Sequence, residues 1–268
     1  MATLELLCLC PTYGRRKELL ENSIACFLQQ EYPADHRHLV IFDDLGNLAK
    51  TDTSILPGVT ILSQTRRCAS IAEKYQVMLK LIPLRMQVKY DAVVVWDDDD
   101  IYLPWHLSVY AAVLADHGWS KPSLVWSAYH NPLQIEAATG RFHGSLAIRR
   151  DLLDRIGGWV QTKRADFDQQ MISRLAQEEL PGNPCDPRYL SLPNSRILRY
   201  NTSACYCPSY VYRWQTTKSG HCSGLMRSMD NEDWYDRYKP DNSEPIPYLL
   251  PQLDSDTERI QLLTCSPL

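Results

Sequence analysis

The apolar run Ala92-Val93-Val94-Val95-Trp96 passes directly into four acids, Asp97-Asp98-Asp99-Asp100. A β-branched run of this kind reads as a strand buried on both faces, with Tyr90-Asp91 as its polar entry. A strand covered on both faces needs helices above and below it, so this one segment already points to a layered α/β architecture. Four adjacent carboxylates repel one another unless strong donors or a cation hold them. The strand must therefore open onto solvent or onto a cation. A solvated acidic turn is the plainer alternative, but such turns seldom follow so apolar a strand and continue as Ile101-Tyr102-Leu103-Pro104.

The rest of the first two-thirds agrees with that architecture. Residues 4–10 read as a strand ended by the turn Pro11-Thr12-Tyr13-Gly14, and residues 16–30 as a helix with Leu19, Leu20, Ile24, Phe27 and Leu28 on one face. Residues 39–42 form a second short strand closed by Asp43-Asp44, and residues 59–62 a third. A helix over 71–81 stops around Pro83, the strand over 92–96 follows, and a helix over 105–117 lies behind it. Strands alternating with helices imply a mostly parallel, Rossmann-like central sheet flanked by helices. Further on, 124–129, 144–148, 197–200 and 210–214 read as strands, and 151–156 and 167–176 as helices. From about residue 225 the chain turns rich in Asp, Asn, Pro and Tyr without periodicity, an irregular C-terminal extension.

Composition narrows the class of partner. The chain has 268 residues, 44% of them hydrophobic and 22% charged, with a net charge of -4. The balance and the scattered Arg/Lys pairs disfavour nucleic acid or an anionic membrane surface. No segment approaches the roughly eighteen apolar residues of a membrane span. Residues 4–10 contain Glu5 and lack a basic leader, a poor signal peptide. Nine cysteines with no CxxC pair suggest free thiols in a reducing, cytoplasmic setting rather than a zinc site. Cys205, Cys207, His221 and Cys222 are wrongly spaced for the usual fingers.

In an open parallel sheet, ligands bind beyond the carboxyl ends of the strands. Three such ends carry unusual polar residues here: Pro11-Thr12-Tyr13-Gly14, Asp43-Asp44 and the four-acid run. Acids at two ends suit a ligand that offers hydroxyl or N–H donors together with a metal-bound phosphate. A nucleotide carried on Mg²⁺ or Mn²⁺ meets both demands, because these hard cations prefer carboxylate oxygens and complete their shells with phosphate. Neither a Walker loop nor GxGxxG is present, so phosphate binding must rest on the metal.

The order of these elements resembles a known family. After the strand-Pro-Thr-Tyr-Gly-Arg segment come Ile41-Phe42-Asp43-Asp44, the acid run, residues 144–153, Ile156-Gly157-Gly158-Trp159 and Ala165-Asp166-Phe167-Asp168. Over about residues 4–222 the chain is similar to family 2 glycosyltransferases of the GT-A fold. The resemblance implies an inverting, metal-dependent enzyme of hexosyltransferase type. It would move a sugar from a nucleoside diphosphate sugar, UDP being the commonest nucleotide, to a hydroxyl of a glycan or other acceptor. It also implies a GT-A domain over 1–224, with a nucleotide-binding half to about residue 104 and an acceptor half beyond.

By the same resemblance Pro11, Thr12, Tyr13, Arg15, Asp43, Asp44 and Arg67 would contact the donor. The DxD motif is best placed as Asp97-x-Asp99, with Asp97 and Asp98 on the donor side and Asp99 on the metal. Asp98-x-Asp100 also satisfies the pattern, so Asp100 stays a candidate. Asp166 would be the general base at the start of a helix, with Asp168 as the alternative; the plainer reading of Asp166, an N-cap or first-turn acid, is compatible with that role. His221 would be a further metal or diphosphate contact and His143 a contact to acceptor or donor sugar. Lys74-Tyr75 departs from the family's usual Arg-Asn pair. The QxxRW motif of processive synthases is missing, since Tyr210 precedes Arg213-Trp214 where Gln should stand. Two other classes fit the residues less well. A sugar-nucleotide nucleotidyltransferase would show a Gly-rich basic loop after the first strand, and residues 11–16 hold one Gly. A non-catalytic nucleotide- or carbohydrate-binding module would not need intact acids at every expected position.

Overall fold

A computed structural model of the protein describes residues 3–12, 17–54, 56–86, 88–127, 134–138, 141–164, 166–189 and 208–212. In chain order its elements are β1 (Leu6–Thr12), α1 (Lys17–Leu28), β2 (Arg37–Asp43), β3 (Val59–Ser63), α2 (Ile71–Arg85), β4 (Ala92–Val95) and β5 (Ile101–Tyr102). Then follow α3 (His106–Asp116), β6 (Trp119–Ser120), β7 (Leu124–Ser127), β8 (Gln134–Ala137), β9 (Ala147–Arg149), α4 (Arg150–Arg155), α5 (Phe167–Glu178) and β10 (Tyr210–Tyr212). The main sheet runs β3-β2-β1-β4-β9-β6, with the first four strands parallel, β9 antiparallel to both its neighbours, and β6 therefore running in the direction of the first four. A second sheet, β5-β10-β7-β8, stands beside it.

Strand alternation divides the core between the two faces of the main sheet. Leu6, Cys8 and Cys10 of β1, Leu39 and Ile41 of β2, and Ala92 and Val94 of β4 pack with Ile24 and Phe27 of α1 and Leu107, Tyr110 and Val113 of α3. Their neighbours Leu7, Leu9, Val40, Phe42, Val93 and Val95 pack on the other face with Tyr75, Met78 and Ile82 of α2 and Met171 and Leu175 of α5. Every β4 side chain is buried, as the opening run requires. At about 25 cal/mol per Å² of apolar surface, two such faces supply most of the favourable folding energy.

Several expectations need correction. Pro11 and Thr12 belong to β1, opposite Phe42 and Asp43, rather than to a turn; the proline sits near the strand's end, where a missing N–H matters least. Helix α2 runs through Pro83 to Arg85. The proline loses its own backbone bond and crowds the preceding turn, yet the helix continues for one short turn, closed by Met86 N–H donating to the Ile82 carbonyl at 2.8 Å. Residues 144–148 are not one strand: a 3₁₀ turn over His143–Ser145 precedes β9. The strands β5, β6 and β8 are too short, or too polar in the case of β8, to show a period. The expected strand over 197–200 and the C-terminal extension lie outside the described residues. Among the described residues no helix is long and apolar enough to cross a membrane, and Cys8, Cys10, Cys26, Cys68 and Cys185 are free thiols.

Candidate active site

The order β3-β2-β1-β4 reverses direction between β1 and β4, which makes the carboxyl ends of those two strands the switch point where open α/β sheets bind ligands. A continuous polar network crosses that point. Lys74 Nζ, supplied by α2, lies 2.8 Å from Asp44 Oδ1 at the end of β2. It also donates to the Thr12 carbonyl at 2.7 Å, and the Thr12 hydroxyl donates to Asp98 Oδ2 at 2.5 Å. Cys68 N–H donates to the other Asp44 oxygen at 2.9 Å. Burial pushes the Lys74 ammonium below its ordinary value, and Asp44 partly restores it. Asp43 points back into its own loop, where Leu45 N–H, Leu48 N–H and the Ser63 hydroxyl all donate to its carboxylate. Both acids that close β2 are 0% exposed, so they shape the site from beneath.

The four acids fan out rather than cluster. Asp98 faces Thr12. Asp100 accepts from the Tyr210 phenol of β10. Asp97 Oδ1 accepts from the Tyr75 phenol at 3.2 Å, while its N–H donates to Tyr102 Oη at 2.6 Å. Burial, then the nearby carboxylates, push Tyr75, Tyr102 and Tyr210 well above the ordinary phenol value, so each stays protonated as a donor. Asp98, Asp99 and Asp100 are almost fully buried, whereas Asp97 is half-buried.

Gly144, in the 3₁₀ turn, closes the site from the other side. A Cβ at Gly144 would lie 2.6 Å from Asp97 Oδ2, 2.7 Å from Tyr210 Oη and 3.0 Å from Asp100 Oδ2. A side chain at this position would have to displace at least one of these three groups. The same distances bring two carboxylate oxygens to one small volume. Like charges about 5 Å apart at an effective dielectric of about 20 repel by roughly 3 kcal/mol, which a cation would relieve. The residues thus fit Mg²⁺ or Mn²⁺ in donor type. Among the described residues no three His, Cys, Asp or Glu side chains form a metal-ligand group. The fit is accordingly to a site that uses one or two carboxylates and leaves the remaining positions to water and substrate phosphate.

The neighbouring His143 ring meets Tyr75, Trp159 and Phe167 edge-on at 5.2, 5.5 and 4.9 Å. Burial, with Lys121 adding to it, lowers its pKa to about 3, so the imidazole is neutral. Among the described residues its buried Nε2 has no hydrogen-bond partner. At the start of α5, Asp166 is held by both Arg164 Nε and Arg164 Nη2 at 3.0 Å and by Gln170 at 2.9 Å. Desolvation raises its pKa, but the hydrogen bonds from Arg164 and Gln170 and the Arg164 charge together outweigh it, and the net shift is downward. Asp168 is half-buried, and burial raises its pKa despite hydrogen bonds from Gln169.

The structure thus brings Thr12, Asp44, Asp97, Asp98 and Asp100 together and sets Asp166 and Asp168 on a separate helix start. Pro11 is buried beside Thr12, and Arg67 is exposed between β3 and α2. Tyr13, Arg15 and His221 lie outside the described residues. Sequence reasoning gave no role to Tyr75, Tyr102, Tyr210, Gly144 or Lys121. Lys74 flanks the apolar face of Ala72, Tyr75, Met78 and Ile82, where a lysine ordinarily keeps its ammonium in water, so its burial against Asp44 had no sequence signal. The other residues are joined only by the fold.

No protein-family model matches this sequence, and no curated protein matches it. Among solved structures, the mannosyltransferase PcManGT from Pyrobaculum calidifontis, in complex with GDP-Man and Mn²⁺, is similar with a TM-score of 0.50 and 21% identity, over 73% of this chain and 56% of that one. TarS from S. aureus gives 0.47 and 14%, over 64% and 33%. TarS 1–349 in complex with UDP-GlcNAc gives 0.45 and 16%, over 64% and 53%. At those scores the TarS likeness carries no argument. The chain spans little more than half the length of the mannosyltransferase. At 21% identity that likeness shows the fold. It is a GT-A type fold, a central parallel-rich sheet flanked by helices.

Proposed function

We propose that this protein is a metal-dependent, inverting glycosyltransferase that uses a nucleoside diphosphate sugar. The observation that carries the reading is the network at the β1/β4 switch point, where Thr12, Lys74 and Asp44 meet the acid run with no glycine-rich phosphate loop. The fold shared with a mannosyltransferase whose structure holds GDP-Man and Mn²⁺ agrees with it. Asp97, Asp98 and Asp100 are each engaged by a protein hydroxyl, and the family resemblance favours the Asp97-x-Asp99 register. Asp97 would face the donor and Asp99 would hold Mn²⁺ or Mg²⁺. When bound, the cation supplies charge neutralisation for the departing nucleoside diphosphate.

The acceptor hydroxyl would lose its proton to a carboxylate in the first turn of α5, a contribution of about 10²- to 10⁴-fold. Position in the sequence favours Asp166. A second reading, Asp168, is favoured by its raised pKa, since Arg164 makes Asp166 the weaker base. Three variants test the assignment by calorimetric binding of nucleoside diphosphate with Mn²⁺ and by release of nucleoside diphosphate from donor. Asp99→Asn should lose metal-dependent binding. Asp166→Asn should bind normally and lose at least 10²-fold in turnover. If Asp168→Asn suffers that loss instead, Asp168 is the base; normal turnover in all three overturns the assignment. Release of pyrophosphate would identify a nucleotidyltransferase, and binding without any donor turnover a binding module.

A further inference from the structure

Lys121 follows β6 and is 6% exposed, yet among the described residues its ammonium hydrogen-bonds to a carbonyl and a hydroxyl rather than to a carboxylate. Its Nζ donates to the Phe142 carbonyl at 3.0 Å and to the Ser145 hydroxyl at 2.7 Å. Ser145 in turn donates to the same Phe142 carbonyl at 2.6 Å. Phe142 is the one non-glycine residue with positive φ among the described residues, at 60°, a conformation that costs about 1–3 kcal/mol unless its surroundings impose it. The turn so pinned carries Gly144, whose backbone lies against Asp97, Asp100 and Tyr210. The Phe142 ring meets Tyr212 at 4.9 Å, and the Tyr212 phenol is raised by burial and then by Asp100, Asp99 and Asp97. Both exits of the turn therefore lead to the acid run.

We infer that Lys121 is a positioning residue: it holds the Phe142–Ser145 turn in its strained form and so sets the spacing of the acid site and its affinity for a divalent cation. A buried ammonium is an expensive way to tie a loop, since burial lowers the lysine pKa to about 7 even with Asp168 raising it. A purely structural tie is achieved more cheaply by an apolar residue. The effect on cation affinity rests on the function proposed above; the hold of Lys121 on the turn does not.

The test compares wild type with Lys121→Met, which keeps the stem and removes the charge, and with Ser145→Ala. In metal-free protein, hydrogen exchange of the 142–147 segment is followed by mass spectrometry alongside thermal unfolding. In parallel, free Mn²⁺ is titrated by electron paramagnetic resonance at a fixed concentration of UDP or GDP. Lys121→Met is expected to unfold at or above the wild-type temperature, to exchange at least tenfold faster in 142–147 alone, and to bind Mn²⁺ about tenfold more weakly. Ser145→Ala should follow in the same direction with smaller changes. Unchanged exchange in folded Lys121→Met overturns the proposal. So does faster exchange with unchanged Mn²⁺ affinity, because the turn would then not set the site. If wild type binds no Mn²⁺ with either nucleotide, the proposed function fails while the exchange data still decide the role of Lys121 in the turn.

Discussion

At the scale of residues, the site is built from what each acid is given to do. Consecutive positions in a tight turn face different directions, so Asp98 meets Thr12, Asp100 meets Tyr210 and Asp97 meets Tyr75. Phenols kept protonated by burial hold carboxylates that would otherwise repel each other in a partly dry site. Gly144 completes the arrangement through the side chain it lacks. Gly144→Ala would drive a methyl group to within 2.6 Å of Asp97 Oδ2 and 2.7 Å of Tyr210 Oη. Its expected effect is a tenfold or larger loss of Mn²⁺-dependent nucleotide affinity, the scale on which groups behind a metal site act. Isothermal titration would measure it, and affinity equal to wild type would mean that this face of the acids is not used.

At the scale of elements, helix and strand periods are enough to find α1, α2, α3, α5 and the four parallel strands, because each presents an apolar face at the right spacing. They do not reveal that α3 opens with a buried, neutral histidine. His106 is 0% exposed, with Nδ1 3.0 Å from the Ser209 hydroxyl, and burial lowers its pKa from 6.5 to about 3. Between those values the unfolded chain takes up a proton that the folded chain refuses. Stability should therefore fall as pH drops from about 6.5 toward 3. His143 behaves in the same way. Each group contributes a slope of about 1.4 kcal/mol per pH unit. Urea unfolding of His106→Gln at pH 6.5, 5.5 and 4.5 should show a dependence shallower by that amount; a slope equal to wild type would mean that the buried ring is protonated in the folded state.

At the scale of the whole molecule, the sheet order does what the sequence alone could only suggest. Strand ends with Thr12, Asp44 and Asp98 were recognisable as polar, and their convergence followed from the general geometry of parallel sheets. The β1/β4 switch point, the Lys74 tie beneath it and the antiparallel return of β9 depend on pairings between residues scores of positions apart. Local pattern carries no record of them. For the same reason Lys121, after a two-residue strand, and Gly144, in a turn that reads as strand, gave no signal of their place beside the acids.

The central claim is that this switch point binds a nucleoside diphosphate through a divalent cation. Thermal unfolding with UDP, GDP, CDP and dTDP, each with and without Mn²⁺, tests it most directly. At a hundred times its dissociation constant the correct nucleotide should add about 2.7 kcal/mol, a rise of roughly 5–10 °C for a chain of this size, and only with Mn²⁺ present. No metal-dependent rise with any of the four would contradict the account.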